Sequence, residues 1–150
     1  MEKLEPIKYG LKSIETTNFV IKNPTQKIES LKKLEIDFDV NPVVKYNIAQ
    51  DCILILVEIK GLIKETQEEI LHIKTAFVYH AIDLKKYMEE IEKTNVWKFL
   101  DSRNNALLVT LIGVSLSTMR GILFEKTRGT ILEKFNLPIM NPSDFVKLKD

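Results

Sequence analysis

Cysteine is nearly absent. Cys52 is the only one among 150 residues, so no intrachain disulfide can form and a four-cysteine zinc site is excluded. A reducing compartment suits that composition. Histidine is almost as scarce: His72 and His80 share one face of an apolar segment, but eight residues along a strand separate two side chains by roughly 26 Å, far beyond common coordination of a metal. Neither charge sign dominates, since 22 basic and 21 acidic residues leave a net +1 and alternate along most segments. That pattern disfavours nucleic acid as a partner, which would need lysine and arginine gathered on one face. Only 5 glycines and 5 prolines argue against long disordered stretches. The opening decapeptide MEKLEPIKYG has neither the apolar run nor the cleavage site of a secretory signal, and a cytoplasmic location is expected. The most apolar run, Ala106 to Met119, falls short of the roughly 20 residues that a membrane span needs, so it is expected as a core helix without membrane insertion.

Catalytic patterns are missing as well. There is no glycine-rich phosphate loop, nucleophile elbow or HExxH. The carboxylate clusters, Glu68-Glu69, Glu89-Glu90-Ile91-Glu92 and Asp37 with Asp39, fall on polar faces beside lysines, where acid–base work has no apolar cleft. Cys52 opens an apolar strand with no histidine near it in sequence and reads as a buried, inert thiol. The expectation is a chain that is not an enzyme and takes no cofactor and no metal.

What the chain does have is regular hydrophobic patterning. Residues 11–22 alternate weakly and predict a strand. Leu34, Ile36, Phe38 and Val40 alternate strictly with Lys33, Glu35, Asp37 and Asp39, a period of two that sends one face to a core and the other to water. Asn41-Pro42 predicts a turn or a bend, with residues 43–47 as a candidate extension of the ribbon. Residues 52–59 form a β-branched run apolar on both faces, expected to be buried on both. Residues 61–68 read as a hairpin connection and residues 70–82 as the last long strand. A short helix is predicted over 84–94, where Leu84, Tyr87, Met88 and Ile91 fall on one stripe, with 95–100 as a connector. Asp101 or Ser102 then caps a long helix whose buried stripe is Leu108, Leu111, Ile112, Ser115, Met119, Ile122 and Leu123, ended near Gly129. Four strands followed by a helix predict an α+β fold, with a four-stranded antiparallel sheet and the long helix packed on one face, in a single domain over 1–150.

The last third resembles the C-terminal half of the SecB family of export chaperones. The resemblance rests on Met119-Arg120, Thr127-Arg128-Gly129-Thr130, Phe135-Asn136-Leu137 and Met140-Asn141-Pro142-Ser143-Asp144-Phe145, and in element order it extends over residues 11–148. It implies an ATP-independent, cytoplasmic chaperone that holds unfolded polypeptide clients for protein export and translocation. It also implies a homo-tetramer built as a dimer of dimers. By position, the client groove would be lined by Trp97, Leu116, Met119, Leu123, Leu137, Met140 and Phe145, although each of these side chains also suits a core. The two-sided apolarity of the last two strands separately calls for self-association, with Leu71, Ile73, Thr75 and Phe77 expected at the subunit contact. Two departures stand out. Thr17, Val20 and His72 occupy the positions of the family's acids for docking the SecA motor, and Thr75-Ala76 replaces its glycine pair. A SecB-like chaperone serving a toxin–antitoxin pair, or a structural assembly subunit, therefore stays open. Near the helix end, Arg120, Lys126 and Arg128 suit either a bound anion or the helix dipole.

Overall fold

In a computed structural model, residues 5–25 and 34–146 are described. Four long strands form one antiparallel sheet: β1 (Tyr9–Ile21), β2 (Ile36–Asn47), β3 (Cys52–Ile63) and β4 (Glu69–Ala81), in the order β1-β4-β3-β2. Each sequential pair from β2 to β4 is a hairpin, whereas β1 crosses over to the far edge beside β4. The helix α1 (Asn105–Lys126) follows the strands and packs on one face, as the hydrophobic periods predict.

Register explains which side chains meet. Ile53, Ile55, Val57 and Ile59 of β3 stand opposite Tyr79, Phe77, Thr75 and Ile73 of β4, and all eight are buried. Against this layer α1 sets Leu108, Leu111, Ile112, Ser115, Leu116, Met119 and Leu123, close to the predicted stripe. One polar link ties helix to sheet. Ser115 Oγ donates to the Leu111 carbonyl at 2.8 Å and accepts from the Tyr79 hydroxyl at 2.7 Å, so both buried hydroxyls are satisfied. Gly61 marks a close approach: a Cβ there would lie 2.9 Å from the Leu71 Cβ, beside the bulge at Gly61/Leu62.

Several expectations change. Leu71, Ile73, Thr75 and Phe77 are at most 2% exposed within the single chain, because theirs is the face that α1 and its neighbours cover. They are core, not subunit contact. Strand β3 is not buried on both faces: Leu54 and Leu56 point away from the core and stay partly exposed. Strand β2 runs straight through Pro42, which pairs with Val57. An edge strand needs no outward N–H, so proline is accommodated there. Strand β3 continues to Ile63 rather than turning at Gly61.

The segment predicted as a short helix is a 3-10 turn (Leu84–Tyr87) leading into a hairpin of β5 (Met88–Ile91) and β6 (Val96–Phe99). Residues 95–100 are therefore partly strand. Positive φ at Glu92, Lys93 and Asn95 turns this hairpin without glycine. It folds Met88 and Phe99 into the core, with Phe99 edge-on to Tyr46 at 6.0 Å. Asp101 caps the 3-10 turn Ser102–Asn104 that leads into α1, accepting from the Arg103 N–H at 3.0 Å, whereas α1 itself starts after Asn104, which makes no side-chain cap; Gly129 follows the helix with φ +77°. The run Ser102–Lys126 is longer than the 14-residue apolar stretch, and by length and composition alone it could cross a membrane. Its packing against β3 and β4 makes it the core helix of this fold.

The burial of Ile73 yields a clear test. Ile73→Arg places an unpaired charge in a sealed core, where the cost is several kcal/mol. Urea melts followed by circular dichroism should show a largely unfolded variant, whereas a folded protein of altered mass would mean that Ile73 lies at a subunit contact.

Candidate functional site

Helix α1 is apolar nearly all round, so its stripe on the sheet uses only part of its surface. On the far side Val109, Gly113, Ser117, Arg120 and Phe124 recur at helical spacing. The chain after Gly129 turns back and runs along this side. Phe135 and Leu137 lie near Gly121 and Phe124, and Pro142 lies near Gly113, where an added Cβ would meet the Pro142 ring at 3.3 Å. A 3-10 turn over Pro142–Phe145, capped by Asn141 accepting from the Ser143 N–H at 3.1 Å, anchors the returning segment.

Between helix and returning segment lies an open groove of about 550 Å³, lined mainly by Val109, Gly113, Val114, Leu116, Ile139 and Met140. A second cavity of about 230 Å³, with Leu123, Phe124, Phe135 and Leu137, shares the Arg120 wall. Large apolar side chains are left uncovered here: Ile139 is 84% exposed and Phe124 61%. Exposed apolar side chains of this kind make this a candidate interaction surface.

Of the residues expected in a groove, Leu116 and Met140 line the larger cavity and Leu123 and Leu137 the smaller. Met119 is wholly buried in the core, while Trp97 on β6 and Phe145 in the terminal turn line neither cavity. Val109, Val114, Phe124 and Ile139 were missed; for the first three the only signal was the apolar character of the outer helix face, and Ile139 lies in the returning segment.

The sheet's other face is a separate surface. Thr17 borders a cavity of about 270 Å³ there with Asn41, Val43, Leu56, Lys74 and Ala76, and Val20 pairs with His72 across β1 and β4. The Asn18 side-chain amide donates to His72 Nδ1 at 3.1 Å, which leaves the ring proton on Nε2, 3.1 Å from Glu58 Oε2. Lys74 Nζ reaches the same oxygen at 3.3 Å. The His72 hydrogen bond, with Lys74 beside it, holds the Glu58 carboxyl below its ordinary pKa. Elsewhere, burial pushes the Tyr46 hydroxyl up to about 12. Cys52 is buried. Among the described residues no three His, Cys, Asp or Glu side chains are grouped to hold a metal ion.

Comparison with known proteins rests on shape. No protein-family model and no curated protein matches the sequence. Among solved structures, a SecB-like chaperone of Mycobacterium tuberculosis, in complex with a ChAD peptide from the HigA1 antitoxin, superposes with a TM-score of 0.58 at 12% identity over 88% of this chain and 90% of that one. A protein of unknown function from Streptococcus agalactiae aligns at a TM-score of 0.40 and 11% identity, over 91% of this chain and 99% of that one.

The pairing at Glu58 has a pH consequence. A depressed folded-state pKa contributes stability above the unfolded value, about 4.3, and loses it as pH falls through the folded value. At a partly exposed site the contribution stays within about 1 kcal/mol. Carboxyl NMR should place the Glu58 midpoint below that of a free glutamate, and Glu58→Gln should flatten this part of the acid-stability profile; an unshifted midpoint would contradict the pairing. The fold is that of a SecB-like chaperone.

Proposed function

We propose that this chain, acting as one domain, is an ATP-independent chaperone that holds extended, apolar polypeptide segments. The observation that carries the reading is the apolar surface along the outer face of α1, where Val114 and Ile139 are exposed in the larger cavity and Phe124 in the smaller. Apolar burial at about 25 cal/mol per Å² can supply affinity without reading one sequence. The SecB-like fold supports the same reading.

Service to a specific partner such as an antitoxin fits better than preprotein export. The similar mycobacterial chaperone was solved with an antitoxin peptide. On this chain's outer sheet face, Glu58 is engaged by His72 and Lys74, so the acidic patch expected for SecA docking is weak. Complementary charge mainly sets encounter rate and partner choice.

Self-association belongs to the proposal, at a new location. Strand β2 carries Pro42 on its outer edge, while β1 leaves Tyr9, Leu11 and Ile14 exposed on the core side. Strand β1 is the edge fit to meet a second copy, and pairs of such dimers would give the tetramer.

Purified protein should slow the aggregation of a denatured, slow-folding client at stoichiometric amounts, with or without ATP. The double variant Val114→Ser, Ile139→Ser removes apolar area only at exposed positions and should weaken holding by tenfold or more, about 1.4 kcal/mol. Undiminished holding by that variant would refute the groove. Light scattering should give about four times the chain mass of 17.4 kDa, and Leu11→Lys with Ile14→Lys should lower it. A wild-type monomer would refute the assembly. Calorimetry should detect no salt-sensitive SecA binding near about a micromolar Kd.

A further inference from the structure

Among the described residues Arg120 is the only charged one lining either cavity, and it lines both. Its side chain is exposed and makes no ion pair among the described residues, whereas Arg128 reaches Glu125 at 3.4 Å and Lys126 sits 5.0 Å over the Phe19 ring. The helix dipole does not account for it. Dipole effects fade within the last turn, and Arg120 lies before that turn in a helix ending at Lys126. A guanidinium set between the mainly apolar larger groove and the smaller cavity, where Phe124, Phe135 and Leu137 stand beside Asn136, is therefore positioned for an anionic group that arrives with apolar neighbours.

The groove has a definite reach. From Val109 to Phe124 the helix rises roughly 22 Å at 1.5 Å per residue. An extended chain of about seven residues, at 3.3 Å each, spans that distance. Its ends would lie against Val109, Val114 and Ile139 on one side and Phe124 and Phe135 on the other, with its interior over Arg120.

Resting on the polypeptide-holding reading above, we infer that Arg120 sets specificity: the preferred occupant is an extended segment with one carboxylate side chain flanked on both sides by apolar residues. Guanidinium binds carboxylate through two parallel N–H donors, a geometry that no neutral or basic side chain reproduces. The apolar flanks supply affinity, and the charge selects register.

Fluorescence anisotropy on unstructured peptides that differ only at a central Glu, Gln or Lys between apolar flanks tests this. Wild-type protein should bind the Glu peptide roughly tenfold more tightly than the Gln peptide, and the Lys peptide least, with the preference shrinking as salt rises. Arg120→Gln should bring the Glu and Gln peptides to equal affinity, and Arg120→Glu should invert the order toward Lys. Because Arg120 is exposed, both variants should keep the wild-type circular dichroism spectrum and melting temperature. Equal wild-type affinity for all three peptides overturns the inference while leaving polypeptide holding intact. Binding of none of them overturns both. If Arg120→Glu changes the particle mass and not the peptide order, a second copy occupies the groove and the inference falls.

Discussion

One helix is too narrow for the sheet it has to cover. An α-helix with side chains is about 10 Å across, while four strands spaced about 4.8 Å apart need more than that to be roofed. The consequences run through the molecule. Helix α1 covers the centre, β3 and β4, whose core-facing side chains are buried. Over β2 the β5–β6 hairpin adds Phe99 against Tyr46. Over β1 no element among the described residues gives comparable cover, and Tyr9, Leu11 and Ile14 stay open. Apolar surface is left on a sheet edge by geometry, and the edge not bearing a proline is the one that carries it.

The same helix solves a second problem by its composition. Leu111, Ile112, Met119 and Leu123 fill the core, while Val109, Val114 and Phe124 leave the opposite side apolar too. The returning segment lies along this second side without closing it, held close at Gly113 by Pro142. A groove results, with one wall helical and the other extended. The Tyr79–Ser115 hydrogen bond fixes the rotation of α1 about its axis, so the sides presented to sheet and groove do not exchange. Core and groove are thus two faces of one element.

Much of this was legible in the residues. The strict alternation at Leu34–Val40, the β-branched run from Cys52 and the helical stripe after Leu108 give the sheet and its helix almost directly. Other parts were hidden for physical reasons. A period of two says which residues of β4 share a face, but not which face receives the chain's own helix; Ile73 and Phe77 therefore read as contact when they are core. Leu84, Tyr87, Met88 and Ile91 mimic a helical stripe, and the hairpin turns on positive φ at Glu92, Lys93 and Asn95, with no glycine to announce it. The candidate site was half legible. Leu116, Met140, Leu123 and Leu137 do line the cavities, but on a helix apolar all round no pattern separates Met119 in the core from Val114 at the surface.

On the proposed function, extended polypeptide lies along the outer face of α1 and not on the open face of the sheet. Site-specific photo-crosslinking addresses it directly, with the reactive side chain placed at Val114 or Ile139 in the groove and at Val43 or Val20 on the sheet, in the presence of a denatured client. Crosslinks should form from the first two positions and disappear with an excess of unlabelled client. Crosslinks confined to Val43 and Val20 would put the client on the sheet face and rule out the groove.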